Sequence, residues 1–280
     1  MQLRKVTAAS AAVLALALTA TACGSDSKDD AAGSGGGEKI TIGIKIDQPG
    51  IGLKTPEGKY TGFDVDVATY VAKELGFDAK NIVFKETKSA DRETAIERGD
   101  VKFIAASYSI NDERLQKVDF AGPYLLAHQD ILVRADDDSI KSPADLNSKN
   151  LCSVTGSTSA ANVKEKLAPK AQLQEYGGYS ECLTGLENEA VDALTTDDSI
   201  LAGFASQAQF QGKFKLAGFK MSNENYGIGL KKGDADLKKK IDAALTKMVS
   251  DGSWDKAVET NFGPANYKNE PAPKIGNIVK

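Results

Sequence analysis

The chain is poor in two residues from which metal centres and nucleophilic sites are often assembled, with one histidine, His128, and three cysteines in 280 residues. A structural or catalytic zinc needs several His, Cys or carboxylate ligands gathered together, and one histidine with scattered cysteines supplies no such set. No metal or other cofactor is expected. An acid–base enzyme needs a positioned proton donor or acceptor, and no convincing pair stands out. Charge of one sign is also missing, since 35 Lys and Arg face 39 Asp and Glu for a net charge of −4. Without a basic stripe, nucleic acid is excluded as an expected partner.

The apolar run near the N terminus, Val13 to Leu18 in an Ala-rich setting, is too short to span a bilayer. With Arg4 and Lys5 before it and small residues after it, the run reads as a signal peptide over residues 1–22. Leu18-Thr-Ala-Thr-Ala-Cys23-Gly resembles the lipobox of bacterial lipoproteins, in which the cysteine becomes the lipidated first residue; Ala20 stands where that pattern usually has Leu. Plain secretion with cleavage near Ala22 is the alternative, and either route puts the mature chain outside the cytoplasm. A lipidated Cys23 would anchor it to the outer face of the cell membrane. Residues 23–38, rich in Gly, Ser, Ala, Asp and Lys, cannot bury enough apolar surface to offset chain entropy and read as a flexible tether.

If Cys23 carries lipid, Cys152 and Cys182 remain as a pair in an oxidising compartment, and a disulfide is the economical reading. Closing that loop would stabilise the fold by on the order of 3 kcal/mol. Two buried free thiols are the rival reading.

From Ile40 onward short apolar strands alternate with amphipathic helices, which predicts an α/β architecture with largely parallel sheets. Strands are expected at 40–46, 101–106, 131–134, 151–154, 173–176, 191–195 and 226–230. Helices are expected at 64–75, where Val67, Val71 and Leu75 share a face before Gly76, then at 90–98, 158–167, 181–188, 198–207, 234–251 and 254–262. Periodicity alone does not decide between two independent domains and two lobes crossed twice by the chain.

Gly62-Phe-Asp-Val-Asp-Val-Ala-Thr-Tyr-Val-Ala-Lys-Glu-Leu75 resembles the signature of solute-binding protein family 3, the polar amino-acid-binding proteins of bacterial ABC importers. Three later segments resemble the same family in the same order: Ser107-Tyr-Ser-Ile-Asn-Asp-Glu-Arg114, Val154-Thr-Gly-Ser-Thr-Ser159 and Val191-Asp-Ala-Leu-Thr-Thr-Asp-Asp198. Within the family the likeness is greatest to actinobacterial glutamate-binding lipoproteins, through Lys45-Ile-Asp-Gln-Pro-Gly50, Pro123-Tyr-Leu-Leu-Ala-His-Gln129 and Cys152-Ser-Val-Thr-Gly-Ser157. The resemblance implies a periplasmic-binding-protein-like, two-lobed type II clamshell with two hinge strands that closes on its ligand. Lobe one would hold 39–123 plus 225–280 and lobe two 124–224, with hinges near 124–130 and 220–226. It also implies a monomer that delivers its ligand to an ABC importer permease in the membrane.

A buried zwitterion needs a cation for its α-carboxylate and an anion for its α-ammonium. The resemblance places Arg114 as the carboxylate clamp, for which a planar guanidinium is suited, and Asp197 as the ammonium acceptor, with Asp198 capping the next helix. Thr155, Ser157 and Thr158 stand between a strand and a helix, where N–H groups and hydroxyls converge on an anion. Ser107 and Ser109 would present a carbonyl and a hydroxyl. Lys45, Ser89 and Arg92 resemble the positions that hold the distal carboxylate of acidic ligands, which points to glutamate. Asp47 leaves glutamine or asparagine open, because an acid near this point in a glutamine binder accepts an amide N–H; it could instead pair with Lys45. Aspartate, a sensor partner and a dehydratase-like enzyme on the same fold are further readings. His128, in the proposed hinge, is expected to pack or hydrogen-bond rather than touch ligand.

Overall fold

The computed structural model describes residues 37–280. The expected signal peptide, the Cys23 lipidation point and nearly all of the tether lie outside the described residues.

β1 (Ile40–Ile44) buries Ile40, Ile42 and Ile44. A small antiparallel sheet follows, made of β2 (Asp47–Gln48), β3 (Gly52–Lys54) and β4 (Tyr60–Thr61). It leads into α1 (Phe63–Glu74), which carries Asp64 and Asp66 in its first turn and Lys73 in its last, the arrangement that suits a helix dipole. Gly62 starts this helix at φ 125°, and a Cβ there would lie 2.3 Å from the Ile51 carbonyl oxygen, so only glycine fits. Phe63 is fully buried beside Trp254 and Phe262. Burial of such a ring contributes about 1.5–3 kcal/mol.

Next come β5 (Ile82–Glu86), a 3-10 turn at Ser89–Asp91, α2 (Arg92–Glu97), β6 (Phe103–Ile104) and α3 (Asp112–Lys117). β7 (Val118–Arg134) then runs for 17 residues. Beyond it lie β8 (Asn150–Val154), α4 (Thr158–Asn162) with a π-helical turn at Val163–Leu167, β9 (Gln172–Tyr176), α5 (Tyr179–Glu187), β10 (Ala193–Asp197), α6 (Asp198–Ala205) and β11 (Phe214–Leu216). β12 (Asn223–Lys231), α7 (Ala235–Ser250) and α8 (Ser253–Phe262) complete the series.

The strand order is β5-β1-β6-β12-β7-β10-β8-β9, with β11 against β7. The two flanks are parallel: β1 pairs with β5 and β6, and β8 with β9 and β10. The middle is antiparallel, which corrects the largely parallel expectation. β7 and β12 pair along most of their length and carry the chain between two α/β halves, here called the first lobe (β1, β5, β6 side) and the second lobe (β8–β10 side). Strand 131–134 is therefore the end of a longer crossing strand. Helix 158–167 is broken into an α and a π turn, and strand 101–106 is reduced to Phe103–Ile104 before an irregular bend.

Cys152 on β8 and Cys182 on α5 are joined as a disulfide, as expected. His128 sits on β7, where its Nε2 lies 3.1 Å from Glu270 Oε1 and its backbone N–H donates to Asp198. The hydrogen-bonding role expected of it is the one observed.

Candidate functional site

The two lobes meet along a line of polar groups at the C-terminal ends of their strands, where open α/β sheets gather ligands. Lys45 follows β1 and is 5% exposed; its Nζ donates to Ser89 Oγ at 2.8 Å. The Ser89 carbonyl accepts from Arg92 Nε at 3.3 Å, while Arg92 Nη1 donates to the carbonyls of Ala106 and Ser107. The Arg92 guanidinium lies 4.1 Å from the centroid of the Tyr108 ring and that of Arg114 5.1 Å from it. Lys45, Ser89, Arg92, Tyr108 and Arg114 thus form one contiguous strip of the first lobe.

Crowding buried cations penalises each of them. Burial, and then repulsion from Arg92, bring Lys45 down to about 7 despite the opposing pull of Asp47. Burial, and then Arg114, bring Arg92 down to about 10. Asp64, a buried carboxylate near both Lys45 and Arg92, is already engaged by the Ser107 N–H at 2.7 Å and the Tyr124 hydroxyl at 2.6 Å. Burial raises it to about 6. The strip therefore concentrates cationic groups whose charged forms burial disfavours and a nearby anion would favour.

Arg114, on α3, donates from Nη1 to the Ser109 carbonyl at 2.7 Å and from Nη2 to the Gly156 carbonyl of the second lobe at 3.0 Å. Its Nε also lies 3.5 Å from Glu93. A guanidinium has five N–H donors, so these contacts aim it across the cleft and leave donors for a further acceptor. On the facing side, Ser157 caps α4 by accepting from the Ala160 N–H, and Thr158 Oγ1 donates to Glu224 at 2.9 Å. Thr155 is exposed, with its N–H given to the Tyr176 carbonyl, so it stands at the rim rather than in the buried set.

Asp197 ends β10 and is 4% exposed; one oxygen accepts from the Tyr226 hydroxyl at 2.5 Å and the other, Oδ1, has no partner among the described residues. Burial first, and the Glu224 carboxylate second, push it well above the ordinary carboxylate range. Leaving a buried acceptor unmade is costly, and an ammonium group would relieve both the orphaned oxygen and the repulsion. Gln48 Nε2 and Thr196 Oγ1 are also buried without partners among the described residues. A cavity of about 660 Å³ opens beside Arg114, Gly156, Ser157 and Glu224, and a smaller one of about 140 Å³ beside Lys45, Asp47 and Gly178.

Ser107 lies in a left-handed bend, φ 43°, rather than in a strand, with its hydroxyl on Gln48 Oε1 and its carbonyl on Arg92. Ser109 gives its carbonyl to Arg114 and pairs by an isolated bridge with Tyr226. Both serines therefore position arginines. Asp47 does not pair with Lys45; its Oδ2 accepts from the Tyr179 N–H of the second lobe at 3.0 Å. Gln48, Tyr179, Thr196, Glu224 and Tyr226 belong to the same surroundings and were not singled out from sequence. Gln48 sits in the Lys45–Gly50 segment and Thr196 in the Val191–Asp198 segment, so motif context could have flagged those two.

The model of bacterial extracellular solute-binding proteins, family 3, matches residues 40–264. The chain belongs to that family. Among family 3 relatives, the glutamate-binding protein GluB of Corynebacterium efficiens is 46% identical over 271 residues, 93% of this chain and 91% of that protein. The ABC transporter glutamine-binding protein GlnH of Bacillus subtilis is 40% identical over 230 residues, 81% of this chain and 82% of that protein. The solved structure of an ancestral arginine-binding protein bound to arginine superposes with a TM-score of 0.75 at 35% identity, covering 80% of this chain and 98% of that one. The fold is the two-lobed clamshell of these family 3 binding proteins.

Proposed function

We propose that this chain is the extracytoplasmic binding protein of an ABC importer and that it captures L-glutamate. The observation that carries the reading is charge placement: Arg114 and the Asp197 oxygen that is partnerless among the described residues answer the two α-groups, while Lys45 and Arg92 form a buried cationic pair that makes no ion pair among the described residues. A γ-carboxylate supplies that missing charge. Glutamine would leave both cations short of a partner, and a cationic side chain would add to the repulsion. The name of the GluB relative supports the same choice, and that of GlnH keeps the amide as the competitor.

In this account lobe one comprises 39–123 plus 225–280 and lobe two 124–224, closing as a monomer by motion in β7 and β12 near 124–130 and 220–226. Cys23 would bear the lipid that holds the protein at the membrane beside its permease. Thermal shift with each common amino acid tests the ligand, because a ligand bound only by the folded state raises Tm by mass action. L-Glutamate should give the largest shift; a larger shift with glutamine, or none with any amino acid, would refute the proposal.

A further inference from the structure

At the small cavity beside Lys45, α5 begins on Gly178, which has no side chain to cap it. The first N–H groups of a helix need acceptors from outside it. Here the Tyr179 N–H is satisfied from the opposite lobe, by Asp47 Oδ2 at 3.0 Å. Asp47 is held in place on β2, paired with Leu53 of β3. The approach is close enough that a Cβ on Gly178 would sit 2.6 Å from that same carboxylate oxygen. Gly178 has φ −145° and ψ 157°, a conformation open to any residue, so backbone geometry does not demand glycine there. What demands it is the carboxylate arriving from across the cleft.

We propose that Asp47 is a positioning residue that caps α5 across the cleft only when the lobes are closed, so that the Asp47–Gly178–Tyr179 contact acts as a latch on the bound state. The inference rests on the reading of the cleft as a closing ligand site. Opening would separate β2 from α5, expose the Tyr179 N–H and remove a negative charge from a helix N-terminus, where it is favourable. The latch also bears on the site itself. Tyr179 is 4% exposed and its hydroxyl faces Thr196 and Ser157, so a firmly seated α5 holds that wall of the cleft in place. Asp47 thereby acts mainly on the stability of the closed form, and on the choice of side chain only through its pull on Lys45. That is a different role from the amide acceptor of a glutamine binder.

The test is calorimetric titration of L-glutamate and L-glutamine into wild type, Asp47→Ala, Gly178→Ala and the double variant, with melting of each ligand-free protein to verify folding. Binding of L-glutamate by wild type checks the functional reading separately. Each single variant should bind L-glutamate roughly tenfold more weakly, about 1.4 kcal/mol, within the range for losing a helix N-cap. The glutamate-to-glutamine ratio should not move in Gly178→Ala; in Asp47→Ala it should fall by less than tenfold, since Asp47 also helps keep Lys45 charged. Because the added methyl conflicts only with the Asp47 carboxylate, the double variant should be no weaker than Asp47→Ala alone. A loss under about threefold, a tenfold change in the ratio, or additive losses in the double variant would overturn the latch. Should wild type bind no glutamate, the amino acid that gives the largest thermal shift replaces it in the same titrations, and equal affinities in wild type and Asp47→Ala overturn the proposal; no shift with any amino acid overturns it as well.

Discussion

Lowering the proton affinity of Lys45 has a consequence that glutamate and glutamine should report differently. Burial and the Arg92 charge bring the Lys45 ammonium down to about 7, so near neutral pH it is only partly charged until an anion arrives. A γ-carboxylate beside Nζ requires the charged form, and glutamate binding therefore takes up a proton when the pH lies above that value. The penalty factor is 1 + 10^(pH − 7), which is about 1.1 at pH 6 and about 11 at pH 8. Glutamate affinity carries this factor; glutamine, with a neutral side chain, does not. Asp197 opposes the trend, since its raised proton affinity favours ligand binding at higher pH, but it meets the α-ammonium of both ligands and cancels in their ratio. The ratio of glutamate to glutamine affinity should thus fall about tenfold from pH 6 to pH 8, and the fall should vanish in Lys45→Met. Calorimetric titration at the two pH values, in buffers of differing ionisation enthalpy, reads both the ratio and the proton count. A ratio that is flat or rises with pH, or an unchanged slope in Lys45→Met, would remove Lys45 from the side-chain pocket.

Arg114→Ala or Asp197→Ala should weaken binding of every amino acid ligand by about one and a half to three and a half decades, since truncating one side of a desolvated charged pair costs roughly 2–5 kcal/mol; calorimetry showing less than about threefold would place the cleft elsewhere. Arg92→Gln should reduce the glutamate-to-glutamine ratio and also lower ligand-free Tm, because its donors hold the Ala106 and Ser107 carbonyls; a Tm equal to wild type would contradict the second role. Intact mass after thiol alkylation without reductant should show Cys152 and Cys182 unlabelled, and Cys152→Ser with Cys182→Ser should lower Tm by about 6–12 °C, from the order of 3 kcal/mol for that loop. An unchanged Tm would mean the bond contributes little.

The flanking α/β units were legible in the sequence because their signals are local: alternate isoleucines in β1, a 3.6-residue stripe in α1 and α7, glycine stops after helices. Of the crossing strands, β12 was legible as 226–230, but of β7 only the end at 131–134 was. β7 is buried along nearly its whole length, so it lacks the alternation that marks a half-exposed strand, and it carries Pro123, which reads as a breaker. Residues on the site divide in the same way. Arg114, Asp197, Lys45 and Arg92 stand in segments whose resemblance to the family is strong, and the structure brings them to one cleft. Tyr226, Glu224 and Tyr179 enter the site through antiparallel pairing in the hinge and through contact between lobes, which no spacing along the chain encodes. Asp47 shows the limit most clearly: its residue type suggested a ligand or ion-pair role, and its actual partner is an amide N–H 132 residues away.

The central claim is that the cleft selects a ligand with a second carboxylate, and direct calorimetric titration of the wild-type protein with L-glutamate and L-glutamine near pH 7 addresses it with the fewest assumptions. The account predicts one site per chain and at least tenfold tighter binding of glutamate, about 1.4 kcal/mol. Equal affinities, or tighter binding of glutamine, would contradict it.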